Sequence, residues 1–117
     1  MNLEKLQDNT RRASGLLKAM SNEHRLLILC QLGEGEKSVG ELVRLVGLSQ
    51  SALSQHLARL RRDSLVRTRR EAQTIFYSVA SREALLLLEQ LKQLYCVGQA
   101  ESRVDGVARR AVAAAHP

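Results

Sequence analysis

Two helix-start signals, Ser38 and Ser49, stand on either side of a single glycine, Gly47, and this arrangement constrains the chain more than any other feature. In Ser38-Val39-Gly40-Glu41 the spacing of serine and glutamate is that of a capping box, in which each side chain satisfies an orphan N–H of the first helical turn. Val39, Leu42, Val43 and Val46 then recur on one side of a short helix. Gly47 closes it, and Leu48 leads into the next cap at Ser49. A second helix follows from Gln50 to about Arg62 with Leu53, Leu57 and Leu60 on one face, and Leu48 is placed to staple against Leu53 across the cap. Two short helices joined by a tight turn have the outline of a helix-turn-helix.

The outward face of the second helix has its own chemistry. At about 100° per residue, it collects Ser51, Gln55, Ala58 and Arg62, flanked by Ser54 and Arg59. Small residues permit close approach to a groove, glutamine can read adenine bidentately, and arginine reads guanine or holds phosphate. The plain alternative is an ordinary solvated face, and charge decides between them. Between Arg59 and Arg70 lie six arginines (Arg59, Arg61, Arg62, Arg67, Arg69, Arg70) against one acid, Asp63, whereas the rest of the chain has 12 basic and 11 acidic residues. A local basic block on a nearly neutral body is the footprint of a phosphate-binding surface, and arginine is the residue suited to bidentate contacts.

After Asp63-Ser64 come two runs rich in β-branched and aromatic residues, Leu65 to Arg70 and Gln73 to Val79, separated by Glu71-Ala72. They predict a hairpin whose turn type is open, because the tip lacks an Asn-Gly signal. A basic hairpin directly after a helix-turn-helix is a wing, and Arg67, Arg69 and Arg70 are its candidate phosphate contacts. Upstream, Leu3 to Met20 reads as a helix with Leu6, Ala13, Leu17 and Met20 on one stripe. Ser21 is the expected cap of the next, Asn22 to about Leu32, which ends near Gly33 and Gly35. Ser81 caps the last helix, where Leu85, Leu86, Leu87, Leu88, Leu91, Leu94 and Tyr95 cover more than one face. A helix apolar over so wide an arc needs two partners, its own core and another chain.

The expected fold is therefore mainly α with one β-hairpin: a winged helix-turn-helix in the order α-α-α-α-β-β-α, forming a homodimer through its first and last helices. Leu6, Leu17, Leu87, Leu91 and Leu94 are the candidate interface residues. The 117 residues make one domain on length, with residues 1–97 as the DNA-binding and dimerisation domain and 98–117 as a frayed or disordered tail. With no Trp, one Phe and two Tyr, the core must come from Leu, Ile, Val and Ala. The N-terminus, Met1 to Arg12, is polar and mixed in charge, unlike a signal peptide, and no apolar run approaches the roughly 20 residues that span a bilayer. A cytoplasmic protein without membrane contact is expected. No glycine-rich phosphate loop, metal triad or nucleophile-base set points to an enzyme, and no cofactor is expected.

With helix order and wing placed, the sequence resembles the ArsR/SmtB family of bacterial repressors over roughly Leu16 to Cys96. The likeness rests on Leu17-Lys18-Ala19-Met20-Ser21-Asn22-Glu23-His24-Arg25-Leu26, on Ser38-Val39-Gly40-Glu41-Leu42, on Leu48-Ser49-Gln50-Ser51-Ala52-Leu53-Ser54-Gln55-His56-Leu57 and on Ile75-Phe76-Tyr77. The resemblance implies a symmetric dimer on an imperfect inverted repeat of double-stranded DNA, one recognition helix per half-site, released by an inducer. Ser49, Gln50, Ser51, Ser54, Gln55 and His56 match the positions that face DNA in the family. His56 is turned further inward than Gln55, so ordering the helix or touching phosphate are its alternatives.

The inducer is where the residues divide. Metal-sensing relatives carry a Cys-x-Cys pair on the third helix or Asp and His pairs on the last, and this chain has neither; His24, His56 and His116 do not form a convergent set. No metal site is expected. Its two cysteines, Cys30 in the second helix and Cys96 at the end of the last, resemble the pair of the family's persulfide- and redox-sensing dithiol branch. In that branch, reactive sulfur species or oxidants join the thiols as a disulfide or polysulfide and lower DNA affinity. On residue chemistry alone the matter stays open: a buried cysteine is usually an inert small hydrophobe, and a helix C-terminus raises the pKa of Cys96 while Lys92 lowers it. Repression is the expected direction. Activation by displacing a silencing protein, a metal-responsive or thiol-independent regulator, and a protein-interaction module with no DNA role are the alternatives.

Overall fold

The computed structural model describes residues 2–95, and the chain divides into two compact units after Ala84. The first unit opens with α1 (Leu3–Met20), capped by Asn2, whose Oδ1 accepts the Lys5 N–H at 2.7 Å. Ala19 and Met20 are buried, while Leu3, Leu6 and Leu17 are exposed. The next helix, α2 (Glu23–Gly33), is capped by Asn22 and not by the expected Ser21. Asn22 Oδ1 accepts from the backbone of both His24 and Arg25, at 2.9 and 3.1 Å, and Ser21 closes α1. Two capping residue types stand side by side here, and Asn22 is the one whose side-chain oxygen meets the first-turn N–H groups of α2.

A strand of two residues, β1 (Lys37–Ser38), precedes α3 (Val39–Val46). Ser38 both ends the strand and caps the helix: its Oγ accepts the Glu41 N–H at 3.2 Å, and Glu41 Oε1 accepts the Ser38 N–H at 2.8 Å. That reciprocal bond holds the Glu41 carboxylate below its ordinary pKa. Gly47 follows in the left-handed conformation at φ 73°, which a side chain adopts only with strain, and turns the chain into α4 (Gln50–Arg62). Ser49 caps α4 through the Ala52 N–H at 3.1 Å.

The wing is the pair β2 (Val66–Glu71) and β3 (Thr74–Val79), joined through Ala72 and Gln73. Ala72 sits at φ 56°, a place usually taken by glycine in two-residue hairpin turns. The sheet has three strands in the order β1-β3-β2, all antiparallel, so the expected hairpin gains an edge strand. Ile28, Leu29 and Leu32 of α2, Leu42 of α3, Leu53, Leu57 and Leu60 of α4, and Leu65, Val66 and Val79 form the core. Each such side chain contributes about 1.5–3 kcal/mol on burial. The core is almost wholly aliphatic, as the composition requires.

The last helix, α5 (Arg82–Tyr95), starts at the Ser81 cap, whose Oγ accepts the Ala84 N–H at 3.0 Å. Along it Leu88 is buried, Leu87 and Leu91 are half-buried, and Leu85, Leu86, Leu94 and Tyr95 are exposed. No helix among the described residues is long and apolar enough to cross a membrane. Cys96 and the 98–117 tail lie outside the described residues.

Candidate nucleic-acid interface

The faces of α4 separate as the leucine spacing requires. Leu53, Leu57 and Leu60 are at most 1% exposed, and Gln50, Ser51, Ser54, Gln55, Ala58, Arg61 and Arg62 all lie open. Burying three leucines fixes the helix rotation, and rotation decides which polar groups face outward. The outward set has amide and hydroxyl groups in the first turns and guanidinium groups toward the C-terminus. Such a surface can hydrogen-bond base edges at one end and hold phosphate at the other.

Three of the expected contact residues have other commitments. Ser49 uses its hydroxyl oxygen as the α4 cap. Arg59 donates to Asp63 at 2.8 Å one helical turn on. His56 faces inward against His24 of α2, ring centroids 5.7 Å apart. Partial burial is the main cause that lowers the His56 pKa, followed by Arg25 and His24. Of the alternatives for His56, ordering the helix fits this placement.

The wing arginines, grouped together on sequence, fall on two faces. Cα partners across the ladder are Arg67 with Ser78, Arg69 with Phe76 and Arg70 with Ile75. Alternation puts Arg67 and Arg69 on one side and Arg70 on the other. Arg67 is exposed and has no ion pair among the described residues. Arg70 turns back to the hairpin tip, donating to the Ala72 carbonyl at 3.3 Å. Arg69 is held in place: its Nε and Nη2 donate to the two Glu36 carboxylate oxygens at 3.0 and 2.8 Å, and its guanidinium lies 4.7 Å from the Phe76 ring centroid. Hydrogen bonding from Arg69 pulls the Glu36 carboxyl pKa down, and the Arg69 pKa is raised in turn.

Sequence reasoning gave no structural role to Arg25, His24 or Glu36. Arg25 donates to the α1 carbonyls of Ala19 at 2.7 Å and Lys18 at 3.3 Å, so it ties the end of α1 to the start of α2. Burial lowers its pKa, nearby Arg59 adds to this, and Asp63 opposes it. The pairings of His24 with His56 and of Glu36 with Arg69 join distant stretches of the chain, and no spacing rule would have found them, whereas Arg25 reaches back only six and seven positions. Among the described residues, no group of three or more His, Cys, Asp or Glu is close enough to hold a metal ion. Cys30 is half-buried on α2.

Known proteins with the same pattern carry the assignment further. Residues 22–68 match the family described as bacterial regulatory protein, arsR family. The transcriptional activator HlyU of Vibrio cholerae is 58% identical over 96 residues, covering 82% of this chain and 89% of that protein. The solved structure of reduced HlyU from Vibrio cholerae superposes with a TM-score of 0.77 at 57% identity, over 80% of this chain and 99% of that one. The transcriptional repressor BigR of Xylella fastidiosa superposes with a TM-score of 0.72 at 38% identity, over 86% and 100%. With its winged helix-turn-helix in place and relatives of this closeness, the chain belongs to the arsR family of bacterial regulatory proteins, DNA-binding transcription regulators and not enzymes.

Proposed function

We propose that this regulator is a cytoplasmic homodimer that represses transcription from an imperfect inverted repeat and lets go when reactive sulfur species or oxidants bridge Cys30 and Cys96. The observation that carries the DNA reading is the division of α4, three leucines buried and Gln50, Ser51, Ser54, Gln55 and Arg62 open, beside a wing that presents Arg67. Glutamine and serine supply base-edge contacts, and the arginines supply phosphate contacts. The exposed leucines of α1 and of α5 supply the dimer contact, which places one recognition helix in each half-site.

The thiol reading rests on the position of Cys30. It lies on the same helix whose first turn carries His24, the partner of His56 on α4. A covalent tie at Cys30 therefore loads the helix that braces the recognition helix. The chemistry balances in two steps. One thiolate takes the outer sulfur of a persulfide, RSSH, and releases RSH. The other thiolate then attacks the resulting cysteine persulfide at its inner sulfur, displacing hydrogen sulfide and leaving a disulfide; two thiols are oxidised and the sulfane sulfur is reduced to sulfide.

Fluorescence anisotropy on the protein's own upstream DNA tests both halves. Expected is tight binding when reduced, release after glutathione persulfide, and recovery with dithiothreitol, with Cys30→Ser binding but not released. Normal release of that variant would remove Cys30 from the mechanism, and a wild type indifferent to the persulfide would favour a thiol-independent or metal-responsive regulator. A second direction of control has its own support, because HlyU is named an activator. A reporter on the target promoter separates the two: deletion raises output for a repressor and lowers it for an activator that displaces a silencing protein.

A further inference from the structure

Ser38, Phe76 and Arg69 stand in one row across the three-stranded sheet, since Ser38 pairs with Phe76 and Phe76 with Arg69. Arg69 starts from the outer wing strand β2. Its guanidinium lies over the Phe76 ring of the middle strand, 4.7 Å from the centroid, and grips Glu36 with two hydrogen bonds of 3.0 and 2.8 Å. Glu36 stands directly before β1, and β1 runs into the Ser38 cap of α3. Glu71 adds a second carboxylate at 3.5 Å from Nη1. An outer strand of the wing is thus fastened across the sheet to the start of the helix-turn-helix.

We infer that Arg69 is a positioning residue for DNA binding, which sets the wing against the helix-turn-helix by clasping Glu36, and is not one of the phosphate ligands. The inference rests on the DNA-binding reading above and redistributes the wing charges within it. Glu36 takes the Nε–Nη2 edge of the guanidinium, Glu71 stands 3.5 Å from Nη1, and a cation–π contact on Phe76 fixes the plane. A phosphate would have to displace Glu36 to take the Nε–Nη2 edge and would meet the Glu71 carboxylate at Nη1. Arg67, two positions earlier on the same face and without an ion pair among the described residues, is the arginine left to meet the backbone.

The two roles predict opposite signs for Glu36→Gln. That change removes an acid beside DNA, which by charge alone strengthens binding. If Arg69 is a ligand masked by Glu36, affinity rises further. If Arg69 is a clasp, affinity falls despite the favourable charge change, by about two- to fivefold for an exposed ion pair of good geometry.

The experiment measures operator affinity per active dimer, fixed by stoichiometric titration so that a loss of folded protein does not enter. Four proteins are compared: wild type, Glu36→Gln, Arg69→Glu, and the charge swap Glu36→Arg with Arg69→Glu. Expected are a fall for Glu36→Gln, a larger fall for Arg69→Glu, and recovery toward wild type in the swap, with amide exchange in 66–79 faster in the single variants than in the swap. A rise or no change for Glu36→Gln, or a swap as weak as Arg69→Glu, would overturn the inference. Absence of operator binding by the wild type would instead overturn the DNA reading itself.

Discussion

The imidazole rings of His24 and His56 lie 5.7 Å apart at a tilt of 39°, joining the first turn of α2 to the middle of α4. Arg25 lies close enough to act on His56, and Arg59 and Asp63 act on Arg25 in turn. Burial, then Arg25, then His24, hold His56 below its ordinary pKa, so the native protein resists a proton that the unfolded chain accepts. The sign follows: stability is fully present above the unfolded histidine value of about 6.5 and is lost as pH falls through the lower folded value. Urea midpoints at pH 7.5 and 5.5 should therefore drop more for wild type than for His56→Gln. Equal drops would mean that His56 does not carry the dependence.

Gln55 and Arg67 should fail differently when removed. Gln55→Ala takes away a candidate base contact, at a cost of about 1–3 kcal/mol on the true operator and little on altered sequence. Arg67→Ala should weaken binding to all sequences alike and make the slope of log affinity against log salt shallower by about 1. Salt titrations on operator and scrambled DNA give both numbers. A uniform loss for Gln55→Ala would move that residue from base to backbone.

The parts of this fold that were legible in the sequence are those whose partners are near in the chain. Ser38 and Glu41 bond across one turn, and the Leu53-Leu57-Leu60 spacing fixes the face of α4, so both could be read directly. Where two local solutions competed, the sequence was ambiguous: Ser21 and Asn22 are both capping types, and only the observed bonds to Asn22 decide. The strand at Lys37–Ser38 was hidden because two residues show no alternation and Ser38 already had a role as a cap. The fate of Arg69 depends on Glu36, 33 positions away, and charge counting gives the sign of a residue without its partner.

Ser64 and Gly47 both sit at positive φ, and they give opposite stability predictions. Ser64, at φ 62°, follows α4 in a Schellman turn in which the Leu65 N–H donates to the Leu60 carbonyl at 2.9 Å and the Ser64 N–H to Arg61 at 3.0 Å. Relief of left-handed strain exceeds the added chain entropy, so Ser64→Gly should stabilise by about 0.5–1 kcal/mol. At Gly47, φ 73°, a Cβ would have open space but the wrong backbone, and Gly47→Ala should cost about 1 kcal/mol. Chemical denaturation of the two variants should bracket the wild type; a neutral Gly47→Ala would show that the turn relaxes.

Leu17 of α1 and Leu94 of α5 are 56% and 55% exposed in the single chain, as are Leu6 and Leu86 to a similar degree. Apolar exposure of this extent on two helices is unfavourable in a lone protomer, and the proposed dimer would relieve it. Leu17→Lys should leave the protomer folded, because the side chain is not in its core, but should place an unpaired ammonium in the dimer contact. Sedimentation equilibrium should then show monomer where the wild type is dimeric. Operator affinity should fall by about 10²-fold or more, since one recognition helix loses the effective concentration supplied by its twin. The affinity for an isolated half-site should stay near wild type, because the recognition surface of each protomer is untouched. A Leu17→Lys protein that stays dimeric would move the contact away from the exposed face of α1, and one that also loses the half-site would mean that the charge had disturbed the fold and not the assembly.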